Sequence, residues 1–239
     1  MAADTTTTTP RREWGLQRVT DRDDAFYVSR QWEHYFGVEY ESDTRLPWPL
    51  AHVLGWNDGE DPAPIDAAAY VATHEQVRVG CGLASLRDHT QTVDALPQGR
   101  FSPGALAGDR NGWLLLGAVD PAWRGHGIGH ALFDARLDWL AARDPDMVFA
   151  FGWERDAGRS SRPLFEAHDF TPIQRFERYY ADDSDGAKRT SCPDCGAWRS
   201  NDVDCQCPTT LWALDGADLQ RIATRQNRQT TSDCYEADS

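Results

Sequence analysis

Between residues 113 and 130 an apolar run, Trp113-Leu114-Leu115-Leu116-Gly117-Ala118-Val119, breaks at Asp120-Pro121 and passes through Arg124-Gly125-His126-Gly127-Ile128-Gly129-His130. The chain then shows Leu132, Phe133, Leu137 and Leu140 at helical spacing. The chemistry this pattern offers is anion binding. At a helix N-terminus, glycines let unpaired backbone N–H groups and the positive end of the helix dipole reach a phosphate without intervening side chains. Arg124 adds a mobile positive charge, and His126 and His130 flank the loop as polar residues that assist phosphate binding when protonated. Spacing excludes two common phosphate loops. A nucleotide P-loop ends in Gly-Lys-Ser/Thr, and a dinucleotide fingerprint needs its third glycine where this chain has His130.

A second constellation is made of sulfur. Cys192-Pro193-Asp194-Cys195-Gly196 is followed by Cys205-Gln206-Cys207-Pro208, which places four of the six cysteines in one short stretch. Two close thiolate pairs on proline- and glycine-shaped turns suit a tetrahedral Zn²⁺ with four sulfur ligands, and a site so filled has no open position for catalysis. The rival is a pair of disulfides, which a reducing cytoplasm disfavours. Cys81, between Gly80 and Gly82, reads as a small core residue, and Cys234 lies in a polar tail.

The elements that must position the loop follow from periodicity. Trp14 to Val19 reads as a strand, and Asp21 to Phe36 as a helix with Val28, Trp32, Tyr35 and Phe36 on one face. Ala68 to Leu86 reads as a hairpin turning near Glu75, and Met147 to Trp153 as a buried strand. A late helix is expected over Ser161 to Phe170 and a last strand from Ile173 to Tyr180. The order is β, α, β, β, β, α, β, α, β. A mixed central sheet of about six to seven strands flanked by helices, an α+β fold, is the expectation.

The segment Arg124-Gly-His-Gly127-Ile-Gly129 matches the Arg/Gln-x-x-Gly-x-Gly/Ala signature of the GNAT superfamily of N-acetyltransferases, with a Val119-Asp120-Pro121 lead-in that also resembles the family's. Leu164-Phe165-Glu166-Ala-His168-Asp169-Phe170 is similar to its late helix, and the element order over Trp14 to Tyr180 is that of the family. The resemblance implies acetyl-CoA as donor. Its pyrophosphate would lie on Arg124, Gly125, His126, Gly127, Ile128, Gly129 and His130, and its pantetheine arm along Leu116, Gly117, Ala118 and Val119. Backbone N–H groups of Gly117 to Val119 would face the thioester carbonyl. The sequence departs from the family at the proton donor, where a tyrosine is common and Phe165 stands here. Tyr179 or Tyr180 from the last strand, His168, or no acid at all are the alternatives. For the base, Glu154 is the first candidate, at the carboxyl end of a strand where ligands of open α/β sheets collect; pairing with Arg155, Arg159 or Arg162 is the competing role. The implied function is acetyl transfer to a primary amine of a small molecule or protein. A non-catalytic acyl-CoA-binding module, brought to a protein partner by the cysteine ribbon, is the runner-up.

Composition adds constraints. The chain carries 38 acidic and 24 basic residues, a net charge of −14, and Lys188 is the only lysine. Such an acid excess with almost no lysine resembles proteins of salt-accumulating microbes, and it makes general binding to nucleic acid unfavourable. No stretch approaches the roughly 18 apolar residues of a membrane span, and the threonine-rich start has no signal-peptide core, so a soluble cytoplasmic protein is expected. The expected organisation is a tail over 1–12, an acetyltransferase domain over 13–181, a zinc-ribbon-like module over 187–214, and a short helix with a disordered tail over 215–239. About one zinc per chain is predicted by metal analysis, lost when Cys192 and Cys195 are both replaced by serine. Metal-free protein of unchanged stability would refute it.

Overall fold

The computed structural model describes residues 13–36, 48–55, 64–97, 99–154, 160–177, 179 and 206–225. Seven strands form one sheet in the order β1-β2-β3-β4-β5-β7-β6. They are β1 (Gly15–Arg18), β2 (Asp66–His74), β3 (Val77–Asp88), β4 (Arg110–Val119), β5 (Met147–Trp153), β6 (Thr171–Phe176) and β7 (Thr209–Asp215). Only β4 and β5 run parallel; every other neighbouring pair is antiparallel. The helices are α1 (Arg22–Phe36), α2 (Trp48–Val53), α3 (His89–Ala95), α4 (Pro103–Leu106), α5 (Ile128–Ala141), α6 (Arg162–Ala167) and α7 over 216–225.

The expected α+β mixed sheet is therefore observed, and local chemistry explains its turns. β2 and β3 form the anticipated hairpin, closed by Glu75 and Gln76 with φ of 46° and 69°, the left-handed pair that matches strand twist. Asp88 and Gln91 form a reciprocal capping box at the start of α3, satisfying two otherwise orphaned N–H groups. Both faces of the sheet are covered. On one, Leu132, Phe133, Leu137 and Leu140 of α5 pack with Phe165 of α6 and Leu219 of α7 over Leu114, Val148, Ala150, Trp212 and Leu214. On the other, α1 and α2 cover Val71, Cys81, Leu83 and Leu116, while Leu96, Phe101 and Leu106 cover Trp113, Phe149 and Leu211. Cys81 is fully buried, and burial pushes its thiol up to about 12, consistent with a core role.

Residues 209–215 differ from their sequence reading. Assigned there to the cysteine module up to 214 and to a helix at 215, they form β7, wedged between β5 and β6 with both neighbours antiparallel. The reason is burial on both faces: Leu211 and Ala213 point to one core, Trp212 and Leu214 to the other. Trp212 stacks on Phe165 at 5.3 Å within the domain. The last strand expected over 173–180 is observed at Thr171–Phe176, and the short helix anticipated from Asp215 is observed over 216–225.

α6 is tied to α5 by a charged contact. His168 donates from Nε2 to Asp134 Oδ1 at 2.7 Å and from Nδ1 to the Leu164 carbonyl at 2.8 Å, which requires the doubly protonated ring. Burial alone would lower its pKa, but the bonds to Asp134 and Leu164 outweigh that and raise it. A raised folded value means a stabilisation fully present below the unfolded pKa of about 6.5 and lost as pH rises through the folded one. His168→Gln is predicted to cost about 1–2 kcal/mol at pH 6 and less at pH 9, measured by thermal melts; an equal loss at both would show that the charge is irrelevant.

Candidate active site

β4 and β5 are paired only from Asn111↔Met147 to Leu114↔Ala150. Beyond that point both continue, to Val119 and Trp153, without pairing to each other. The parting coincides with a register shift against β3: Leu83 opposes Leu116, and Ala84 opposes Leu114. Leu115 is therefore the bulged residue, and it joins Leu116 on the α1 side of the sheet. After the bulge the strand is regular again, and the Asp120 N–H bonds the Val79 carbonyl of β3 at 2.9 Å. Because N–H direction alternates along a strand, the N–H groups of Gly117 and Val119 point away from β3, into the gap that β5 has left. Gly117 is exposed there between buried Leu116 and Ala118.

The gap leads to the glycine loop. Asp120 accepts from the Ala122 N–H in a tight turn, Arg124 Nε reaches back to the Val119 carbonyl, and α5 begins at Ile128 with Gly127 as its N-cap. Gly125 and Gly127 have φ of +78° and +82°, a conformation that disfavours side chains, and an added Cβ on either would meet nothing within 4 Å. A Cβ on Gly129 would touch only Val119, at 3.9 Å. The protein itself does not fill these positions, and Gly125 and Gly127 are exposed to solvent. The Ala131 N–H is bonded to the Gly127 carbonyl, leaving the earlier amides of the turn without an intrahelical acceptor. Trp14 Nε1 donates to the His126 carbonyl at 3.1 Å, so β1 braces the loop from outside, and Trp123 packs on His74 and His126. This bracing was not foreseen; no local pattern connects residue 14 to residue 126.

The remaining expected residues are dispersed. Glu154 does stand at the end of β5, but Arg175 Nε donates to one carboxylate oxygen at 2.7 Å and Thr210 Oγ1 to the other at 2.5 Å. Desolvation is opposed by these bonds, and the net effect holds the carboxyl below the usual range. Both partners come from β6 and β7; of the expected alternatives, Arg162 acts on Glu154 only through space, and Arg155 and Arg159 lie outside the described residues. Tyr179 packs on Phe151 of β5 and Phe176 of β6, on the face opposite α5; Tyr180 lies outside the described residues. Phe165 is core, wedged among Phe133, Phe170 and Trp212. Both protons of His168 are committed to Asp134 and Leu164.

Cys192, Cys195 and Cys205 lie outside the described residues; Cys207 is buried, two positions before β7. An open cleft of about 930 Å³ at the opposite end of β4 and β5 is lined by Asp109, Asp144, Asp146 and Asp215, a charge that repels a polyphosphate. Among the described residues no helix is long and apolar enough to cross a membrane.

The arrangement of the sheet and its helices is also found in known proteins. The fold resembles that of Arabidopsis thaliana NAA60 in complex with a bisubstrate analogue (12% identity, 85% of this chain and 98% of that one, TM-score 0.53). It also resembles a putative acetyltransferase of the GNAT family from Desulfovibrio desulfuricans (13% identity, 85% and 99% covered, TM-score 0.51) and a chain of the NatC complex bound to Gag peptide and CoA (14% identity, 85% and 98% covered, TM-score 0.51). No curated protein sequence matches the chain significantly. The sequence profile of the acetyltransferase (GNAT) family, however, matches residues 12–170, about two thirds of the chain and all of the parted strands and the loop, and the protein therefore belongs to that family.

Proposed function

We propose that the chain holds the pyrophosphate of acetyl-CoA on the amides of Arg124 to His130 and the pantetheine arm beside Leu116 to Val119, and passes the acetyl group to a primary amine of a small molecule or protein. Family membership gives the reaction class, acetyl-CoA-dependent N-acetyl transfer. The observation that carries the residue assignment is the gap itself: two outward N–H groups on β4 lead directly into a loop whose open Cβ positions leave room for phosphates.

Bound acetyl-CoA supplies an activated thioester carbonyl. The Gly117 N–H donates to the carbonyl oxygen as charge develops there, a fixed dipole that needs no reorganisation. Arg124 and the amides of the first turn of α5 hold the phosphates. The α5 face receives the donor, and the amine approaches from the α1 face, where Leu115, Phe151 and Tyr179 lie. Glu154 remains ionised and ties together the ends of β5, β6 and β7; with both oxygens engaged it is a weaker base than its position suggested. Tyr179 or Tyr180 supplies a proton to the departing sulfur, a modest contribution because a thiol of pKa about 8.5 leaves readily as thiolate.

The same reading assigns Cys192, Cys195, Cys205 and Cys207 to one structural zinc ion. Four thiolates are a donor set that zinc favours, and Cys207 is a buried thiol at the foot of a central strand. The metal would close the loop between β6 and β7. The acid-rich, lysine-poor surface fits a cytoplasm of high salt, and nothing in its charge favours nucleic acid.

The test is release of free thiol from acetyl-CoA in high-salt buffer against small amines, aminoglycosides, polyamines and peptide N-termini. Release with one class establishes transfer and names the acceptor; acetyl-CoA binding with no release from any amine supports the non-catalytic reading. Gly127→Asp is expected to weaken CoA binding at least about 100-fold, roughly 2.7 kcal/mol by calorimetry, because a carboxylate would face the pyrophosphate; unchanged affinity sinks the loop assignment. Glu154→Gln should lower kcat less than about tenfold, whereas loss of a general base costs about 10²–10⁴. A loss in that larger range would restore Glu154 as the base.

A further inference from the structure

α5 carries one residue that its surroundings do not suit. Arg136 is 4% exposed on a helix face otherwise made of Leu132, Phe133, Leu137 and Leu140. Nε donates to the Leu132 carbonyl at 2.9 Å and Nη1 to the Leu116 carbonyl at 2.6 Å. The guanidinium also lies over the Phe133 ring at 5.5 Å. Among the described residues no carboxylate pairs with it. Burial pulls its pKa down to about 10, still charged at neutral pH. A buried cation without a counter-ion is costly, and a hydrophobic residue would fill the space without that cost.

The sheet is shaped to admit it. Gly82 and Gly117 are register partners on β3 and β4. A Cβ on Gly82 would come within 2.8 Å of Arg136 Nε, and one on Gly117 within 3.0 Å of Nη2. Two neighbouring strands therefore lack side chains where the guanidinium rests. The carbonyl it grips belongs to the peptide group joining Leu116 to Gly117. The oxygen of that peptide takes the cation, and its N–H points away from β3 into the gap between β4 and β5.

We infer that Arg136 is a positioning residue that polarises the Leu116–Gly117 peptide and so strengthens the Gly117 N–H as donor to the thioester carbonyl oxygen. This rests on the placement of acetyl-CoA given above. A charged donor on the carbonyl draws electron density from the peptide nitrogen, and hydrogen bonds in a chain strengthen one another in a low-dielectric interior. The charge also stands behind a strand position with no side chain to screen it. Arg136 touches neither substrate nor reacting atom and acts through the backbone.

The experiment compares wild type with Arg136→Met and Arg136→Lys in two measurements. In steady-state kinetics, Arg136→Met is expected to lower kcat about 10–100-fold, below the full loss of an oxyanion donor, with KM for acetyl-CoA and acceptor within about threefold, and Arg136→Lys to recover part of kcat. In isotope-edited infrared spectra, the thioester carbonyl of bound [1-¹³C]acetyl-CoA should absorb at lower frequency on wild type than in water, and Arg136→Met should return it toward the water value. An unchanged carbonyl frequency in Arg136→Met, or a fall in kcat matched by an equal rise in KM, overturns the inference and leaves Arg136 as filling only. If Arg136→Met does not fold, the spectrum of Arg136→Gln, which keeps a donor but not the charge, decides in the same way. Failure of the underlying placement is distinguishable, because then wild type itself shows no shift on binding acetyl-CoA.

Discussion

The proposed placement of acetyl-CoA depends on two parallel strands that stop pairing. β4 and β5 share four register positions and then separate, and the separation leaves backbone groups of β4 without their sheet partner. Unpaired N–H groups inside a protein are unfavourable unless something accepts their bonds. Here the groups face a cleft, and a thioester with its pantetheine amides is a chemically suitable replacement for the missing strand. The bulge at Leu115 is what re-aims them. Around this gap the fold divides the labour. α5 brings the glycine loop to one face, and the ends of β5, β6 and β7, tied by Glu154, Arg175 and Thr210, shape the other.

Much of this was legible in the sequence, for local reasons. The glycine loop is a contiguous stretch between a strand and a helix, and Gly125 and Gly127 adopt the left-handed backbone that favours glycine. The hairpin at Glu75 and the helices over 22–36 and 128–141 follow from periodicity and turn chemistry over short windows. β7 was not legible, because a strand with neighbours on both sides and cores on both faces loses the alternation that marks a half-exposed strand. Its position directly after a cysteine cluster also drew it toward a separate module.

The site residues divide along the same line. Glu154 was found by position, at the end of a strand, but its two partners come from strands that join β5 only in three dimensions, and they determine its basicity. Phe165 was noticed as a departure from the family pattern. The structure gives the departure a physical content: the ring completes an aromatic cluster with Phe133, Phe170 and Trp212. Arg136 carried a readable signal that passed unused, a charged residue three and four positions from Phe133 and Leu132 on a stripe that should be wholly apolar.

The lodging of β7 between β5 and β6 bears on how the chain is made. β5 emerges early in synthesis, but its antiparallel neighbour begins at Thr209, and among the described residues β6 pairs only with that same strand. A nascent chain that has released β6 has an unfinished sheet edge, open to wrong pairing, until residues 177–208 have followed and β7 can insert.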